Sequence, residues 1–128
     1  MTSYLLVFLG AGIGGALRHG INLGSARIFG AAFPFGTLTV NVVGSLIMGA
    51  VAGWLAFKAG EGWSQALRLF LATGILGGFT TFSAFSLDAV LLWERGEAWS
   101  AAGYVAASVL LSLGALVAGL ALVRSLAA

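Results

Sequence analysis

Four long apolar stretches, separated by short polar connections, constrain this chain more than any other feature. They run over about 4–29, 35–57, 67–93 and 99–123, and each reaches the roughly 20 residues that an α-helix needs to cross a bilayer. With 60% hydrophobic and only 8% charged residues, and a mean hydropathy of +1.07, the chain lacks the charge to cover a water-facing surface. The expected fold class is therefore an all-α membrane protein, a single four-span domain covering residues 1–128. The first stretch is the least clean: only Tyr4 to Leu17 is strictly apolar, and Arg18 and Arg27 assign its second half to the interface or to a cavity. No Lys or Arg precedes its apolar run, so it reads as a retained span and not as a secretory signal.

The boundaries support one another. Pro34 stands just ahead of the second span, where a missing N–H costs nothing. Trp54, Trp63, Trp93 and Trp99 all fall near span ends, at headgroup level. The net charge of +2 comes from scattered residues that form no patch for nucleic acid, and no protein partner other than a second copy is evident. Without cysteine there is no disulfide frame or thiolate metal site.

Orientation is undecided by charge. With four spans, Lys58, Arg68 and Arg124 lie on one side and Arg18, Arg27 and Arg95 on the other, three against three. The positive-inside rule reads topology from such a bias, so a balanced chain is expected to insert both ways and to form an antiparallel homodimer. So few basic residues also balance by chance, and both readings stand at this point. Small-xxx-small pairs at Gly10/Gly14, Gly20/Gly24, Gly49/Gly53 and Gly74/Gly78 allow close helix approach, within one chain or between two.

Polar groups at mid-span must find partners, because an unsatisfied one costs several kcal/mol in hydrocarbon. Tyr104, Ser108 and Ser112 recur every four residues and place three hydroxyls along one face of the fourth span. Thr37, Asn41 and Ser45 do the same on the second, and the Asn41 amide cannot satisfy itself within its own helix. Each set is either an ion track or ordinary interhelical and backbone hydrogen bonding. Phe82 and Phe85 share a helix face among the hydroxyls of Thr80, Thr81, Ser83 and Ser86; the pair is either ordinary core or lipid contact or offers the positive ring edge to an anion. Gly77-Gly78 followed by Thr80-Thr81 is expected to break the third helix, and broken membrane helices coordinate ions through freed carbonyls. His19, Ser83 and Asp88 form no defensible triad, so an enzyme is not expected. Asp88, close to Trp93, is expected to reach the interface, and Arg18 is a vestibule candidate or pairs with a carboxylate or helix end.

The blocks GAGIGGALR at 10–18, PFGTLTVN at 34–41 followed by Gly44, and TGILGGFTTFSAFS at 73–86 resemble the signature blocks of the CrcB/Fluc fluoride channels. The resemblance implies an antiparallel, dual-topology homodimer with two pores, in a bacterial inner membrane, passing fluoride out of the cell passively. Carried over by position, it implies Asn41, Phe82 and Phe85 as the fluoride-coordinating set, and Thr39, Thr81, Ser83, Tyr104, Ser108 and Ser112 as pore hydroxyls. It also implies a structural sodium ion at the dimer centre, held by the backbone carbonyls of Gly77 and Thr80 from each chain. Ala84 stands where the family often has a hydroxyl, and His19 where it commonly has an aromatic residue. The alternative is a small dual-topology, proton-coupled drug exporter, which wants a mid-membrane carboxylate, usually on the first span. This first span has neither Asp nor Glu.

Overall fold

The computed structural model describes residues 1–57 and 65–127, so Lys58 and Trp63 of the sequence argument lie outside the described residues. Every regular element among them is helical. Helix α1 is Thr2–Phe29 and α2 is Phe35–Phe57. Helix α3 is wound as a π-helix over Arg68–Leu76 and closes with one α-turn, Gly77–Phe79. Helix α4 is Phe82–Glu94 and α5 is Ala98–Ala127. Four segments are long and apolar enough to cross a membrane: Thr2–Phe29, Phe35–Ala56, Gln65–Glu94 and Ala98–Leu126. The third of them contains both α3 and α4.

Local chemistry explains the ends. Gly30, at φ 79°, stops α1 in a conformation that a side chain would disfavour, and Pro34 opens α2 by accepting the Leu38 N–H on its carbonyl at 3.2 Å. Gly96, at φ 81°, turns the chain after α4, with its N–H on Trp93 O and the Glu97 N–H on Leu92 O, both at 3.0 Å. Arg95 ties this turn to the α1–α2 connection, donating to Ala32 O at 2.7 Å while pairing with Glu97 at 2.9 Å.

Two glycine seams hold the protomer together. On α1, a Cβ at Gly10 would lie 2.6 Å from Phe70 O and 2.9 Å from Gly74 Cα, and one at Gly14 would collide with Ile75 O. On α3, a Cβ at Gly78 would stand 2.8 Å from Ala11 Cα. The second seam joins α2 to α5, with Gly49 against Leu116 O and Gly119 against Leu46 O. Three of the four glycine pairs seen in the sequence thus serve packing within the chain, where backbone approach replaces the hydrophobic drive that lipid removes. Gly20 and Gly24 face open space. Most large apolar side chains, Phe8, Leu110 and Val117 among them, are exposed on the protomer, as lipid contact requires. The compact core is small: Leu92, Ala101 and Tyr104, flanked by Phe33, Leu38, Phe85 and Ala89.

Candidate functional site

Helical hydrogen bonding changes at Thr80 and Thr81. Both have extended backbone (φ −82°, ψ 157° and φ −153°, ψ 122°), and they separate α3 from α4. Gly77 is helical (φ −64°, ψ −37°), and α3 continues through Gly78 to Phe79. Within the stretch expected to break the helix, Gly77-Gly78 followed by Thr80-Thr81, the glycines stay helical and the threonines depart; Gly78 is needed for its close contact with α1.

Each polar group at this interruption has a definite partner. Leu76 O accepts from the Thr80 N–H at 3.0 Å and from the Thr80 hydroxyl at 2.9 Å. The Asn41 side chain reaches across from α2, accepting the Thr81 N–H on Oδ1 at 2.8 Å and donating from Nδ2 to Thr81 O at 3.0 Å. Thr81 Oγ1 caps α4 by accepting the Ala84 N–H at 3.1 Å, and it lies 3.3 Å from Ser83 Oγ. In an unbroken helix the Thr81 N–H would close on the Gly77 carbonyl, and the Ala84 N–H on that of Thr80. Both donors are used elsewhere here, which takes from these two carbonyls their helical partners.

Beside the interruption lies a cleft of about 310 Å³, lined by Asn41, Ser45, Thr80, Thr81, Phe82, Phe85, Ser108 and Ser112, with Val109 and Leu113 completing its wall. The Oγ atoms of Ser108 and Ser112 are buried and make no full hydrogen bond among the described residues, Ser108 keeping a weak contact with the Tyr104 hydroxyl. Leaving a buried hydroxyl unpaired costs about 1–3 kcal/mol. Both residues line the cleft, so a change of side-chain rotamer would turn either hydroxyl toward a ligand or water there. Tyr104, one turn from Ser108, is wholly buried; its hydroxyl donates to Asp88 Oδ2 at 3.3 Å and its ring lies 5.3 Å from that of Phe85. Phe85 in turn lies 5.5 Å from Phe82, which is 79% exposed on the protomer.

Of the other sequence-nominated residues, Arg18 and Ser83 line a separate groove of about 490 Å³ with His19, Asn22, Thr81 and Ala84. Thr81 lines both spaces, so the arginine-bearing groove and the cleft border the same residue of the interruption. Thr39 lies apart from both, exposed on the outer side of α2. Ser45, read in the sequence as one of the second span's hydroxyl file, lines the cleft, and Asp88 joins this polar system through Tyr104. Asp88 faces Tyr104 and shares a further recess with Asn22, Ser25 and Thr37. The signal was available, since Asp88 and Tyr104 stand eight residues either side of Gly96, 88 to 96 and 96 to 104, and a tight turn there brings them level. No group of three or more His, Cys, Asp or Glu able to hold a metal occurs among the described residues.

The sequence model of the family described as CrcB-like protein, Camphor Resistance (CrcB), matches residues 5–120. The chain belongs to the CrcB family. That match encloses every residue of the cleft and of the arginine-bearing groove. Among similar proteins, the fluoride-specific ion channel FluC of Rhodopseudomonas palustris (strain BisB5) is 60% identical over 124 residues, 97% of this chain and 98% of its own length. The fluoride-specific ion channel FluC of Granulibacter bethesdensis is 60% identical over 126 residues, 98% of each chain. The fluoride-specific ion channel FluC 2 of Nitrobacter hamburgensis is 56% identical over 124 residues, 97% of this chain and 98% of its own length. This CrcB chain therefore matches these proteins over nearly all of the residues given, with the interruption and the hydroxyl-lined cleft inside the shared region.

Proposed function

We propose that this multi-pass membrane protein is a fluoride-selective ion channel that lets fluoride leave the cytoplasm passively and so limits its toxicity; it is not an enzyme. The single observation that carries the reading is the pair Ser108 and Ser112, whose buried hydroxyls make no full hydrogen bond among the described residues and which line one cleft with Asn41, Phe82 and Phe85. Fluoride is small and strongly hydrated, so a narrow path must replace its water with donors and with positive ring edges. Ser108 and Ser112 supply O–H groups, and Phe82 and Phe85 supply ring edges. A larger halide fits such a path less well and gains less from each contact. The groove holding Arg18, Thr81 and Ser83 gathers anions at its mouth. Tyr104 extends the file of hydroxyls and fixes Asp88. Thr39, on the outer face of α2, is placed to contribute where a second copy covers that face. Fluoride that crosses a membrane as weakly acidic HF is trapped as the ion inside, and a passive pore suffices to release it.

In this reading the working unit is an antiparallel homodimer of dual topology in a bacterial inner membrane, with pores lined by both copies. The balanced distribution of basic residues supports it. The carbonyls of Gly77 and Thr80, deprived of their helical donors, are hard oxygen ligands of the kind that suits a sodium ion, and Gly77 is exposed on the protomer, open to a partner. A sodium ion bound there would supply a fixed positive centre tying two copies together. The drug-exporter alternative is disfavoured by α1, which carries no carboxylate.

Purified protein in fluoride-loaded liposomes is expected to release fluoride when a potassium gradient and ionophore set the driving force; proton-coupled drug uptake without fluoride release would support the exporter. A reporter at the C-terminus is expected on both faces of the membrane, and recovery on one face alone would contradict dual topology.

A further inference from the structure

An extended residue carries its N–H and C=O on the same side of the chain, the arrangement that two antiparallel strands exploit when paired residues exchange both hydrogen bonds. Thr81 has that conformation, and its pairing partner is a side chain. The Oδ1 and Nδ2 atoms of Asn41 engage the Thr81 N–H at 2.8 Å and the Thr81 C=O at 3.0 Å, across 40 residues of sequence. Asn is the residue whose short side chain offers an acceptor and a donor side by side. Aspartate keeps the acceptor but turns an oxygen toward the Thr81 carbonyl, and leucine of similar size offers neither group.

We propose that Asn41 is a positioning residue that holds Thr81 extended and thereby couples the cation ligands to the aromatic wall of the cleft. Two consequences of the pairing meet at this residue. While the Thr81 N–H is held by Asn41 it cannot close on the Gly77 carbonyl, so the main-chain oxygen stays available to a cation. The Thr81 carbonyl, held from the other side, fixes the peptide that leads directly into Phe82, the first residue of α4 and a wall of the cleft. Oδ1 and one Nδ2 hydrogen are committed to the backbone, leaving a single N–H for any direct contact with a permeating anion. The coupling rests on the cation site and pore proposed above; the strut itself does not.

The experiment is backbone amide hydrogen exchange at Thr81 in the full-length protein, with sodium or potassium as the sole cation, read beside fluoride release from liposomes. Losing one such bond is expected to raise exchange roughly tenfold and losing both roughly a hundredfold. Thr81 should therefore exchange about tenfold faster in Asn41→Asp and about a hundredfold faster in Asn41→Leu. Ser45→Ala, one turn away in the same cleft, should leave Thr81 exchange unchanged. The sodium concentration that half-protects Thr81 should rise at least about tenfold in Asn41→Asp, whereas a generally loosened fold would exchange faster at every sodium concentration. Wild-type protection of Thr81 in an Asn41 variant that has lost fluoride release would overturn the proposal and leave Asn41 as a pore ligand only. Should Asn41→Leu fail to fold, Asn41→Asp decides by the same readout. If the wild type releases no fluoride, the channel reading falls, and Thr81 exchange still tests the strut.

Discussion

Gly14→Val is expected to destabilise the protomer by about 3 kcal/mol or more, the upper range for overpacking a closed contact. A Cβ at Gly14 falls on the Ile75 carbonyl oxygen and 2.8 Å from the Phe79 nitrogen. Both are main-chain atoms of α3, so no rotamer change can make room. The only relief is to slide α1 away from α3, which also opens the contacts of Gly10 with Gly74 and of Gly78 with Ala11. Marginal stability makes such a loss large. The control is Gly12→Val, two residues away on the same helix, where an added Cβ meets nothing within 4 Å. Equilibrium unfolding in detergent should separate the two variants clearly; equal stability would mean that the α1–α3 seam does not carry the fold.

Phe82→Ile should leave folding intact and reduce fluoride flux roughly 30- to 100-fold, the equivalent of about 2–3 kcal/mol added to the barrier. Phe82 is 79% exposed on the protomer and among the described residues its ring stacks only with Phe85, so little packing depends on it. The ring's value lies in its edge, which can face an anion that has shed water, whereas isoleucine offers a wall of similar bulk without that charge pattern. Flux from liposomes, with helicity measured in parallel, distinguishes this from misfolding. Unchanged flux would remove Phe82 from the pathway.

The spans were legible because hydropathy over about 20 residues depends only on composition, and the 35–57 estimate coincides with α2. The hydroxyl register at Tyr104, Ser108 and Ser112 was legible for a related reason: a straight helix keeps every fourth residue on one face. Where the sequence reading was less exact, the cause was a contact between distant segments. Gly77-Gly78 followed by Thr80-Thr81 read as a break by propensity; within that stretch the glycines remain helical, Gly78 admitting the α1 backbone, and the departure comes at Thr80 and Thr81. The π-winding of Arg68–Leu76 leaves no mark in a hydropathy profile. Asn41 was readable as an amide needing partners, but that its partner is the Thr81 backbone follows only from how α2 crosses the interruption. Asp88 was read only by its distance to Trp93; that it also faces Tyr104 follows from the turn at Gly96, which brings α4 and α5 level.

The most direct measurement of the central claim compares halides in the same liposomes. Vesicles loaded with fluoride or chloride, carrying the purified protein and discharged through a potassium ionophore, should release fluoride at least about 100-fold faster than chloride, a difference of about 2.7 kcal/mol between the two barriers. Equal release of the two halides, or retention of fluoride by correctly folded protein, would contradict a fluoride-selective pathway through the cleft of Asn41, Phe82, Phe85, Ser108 and Ser112.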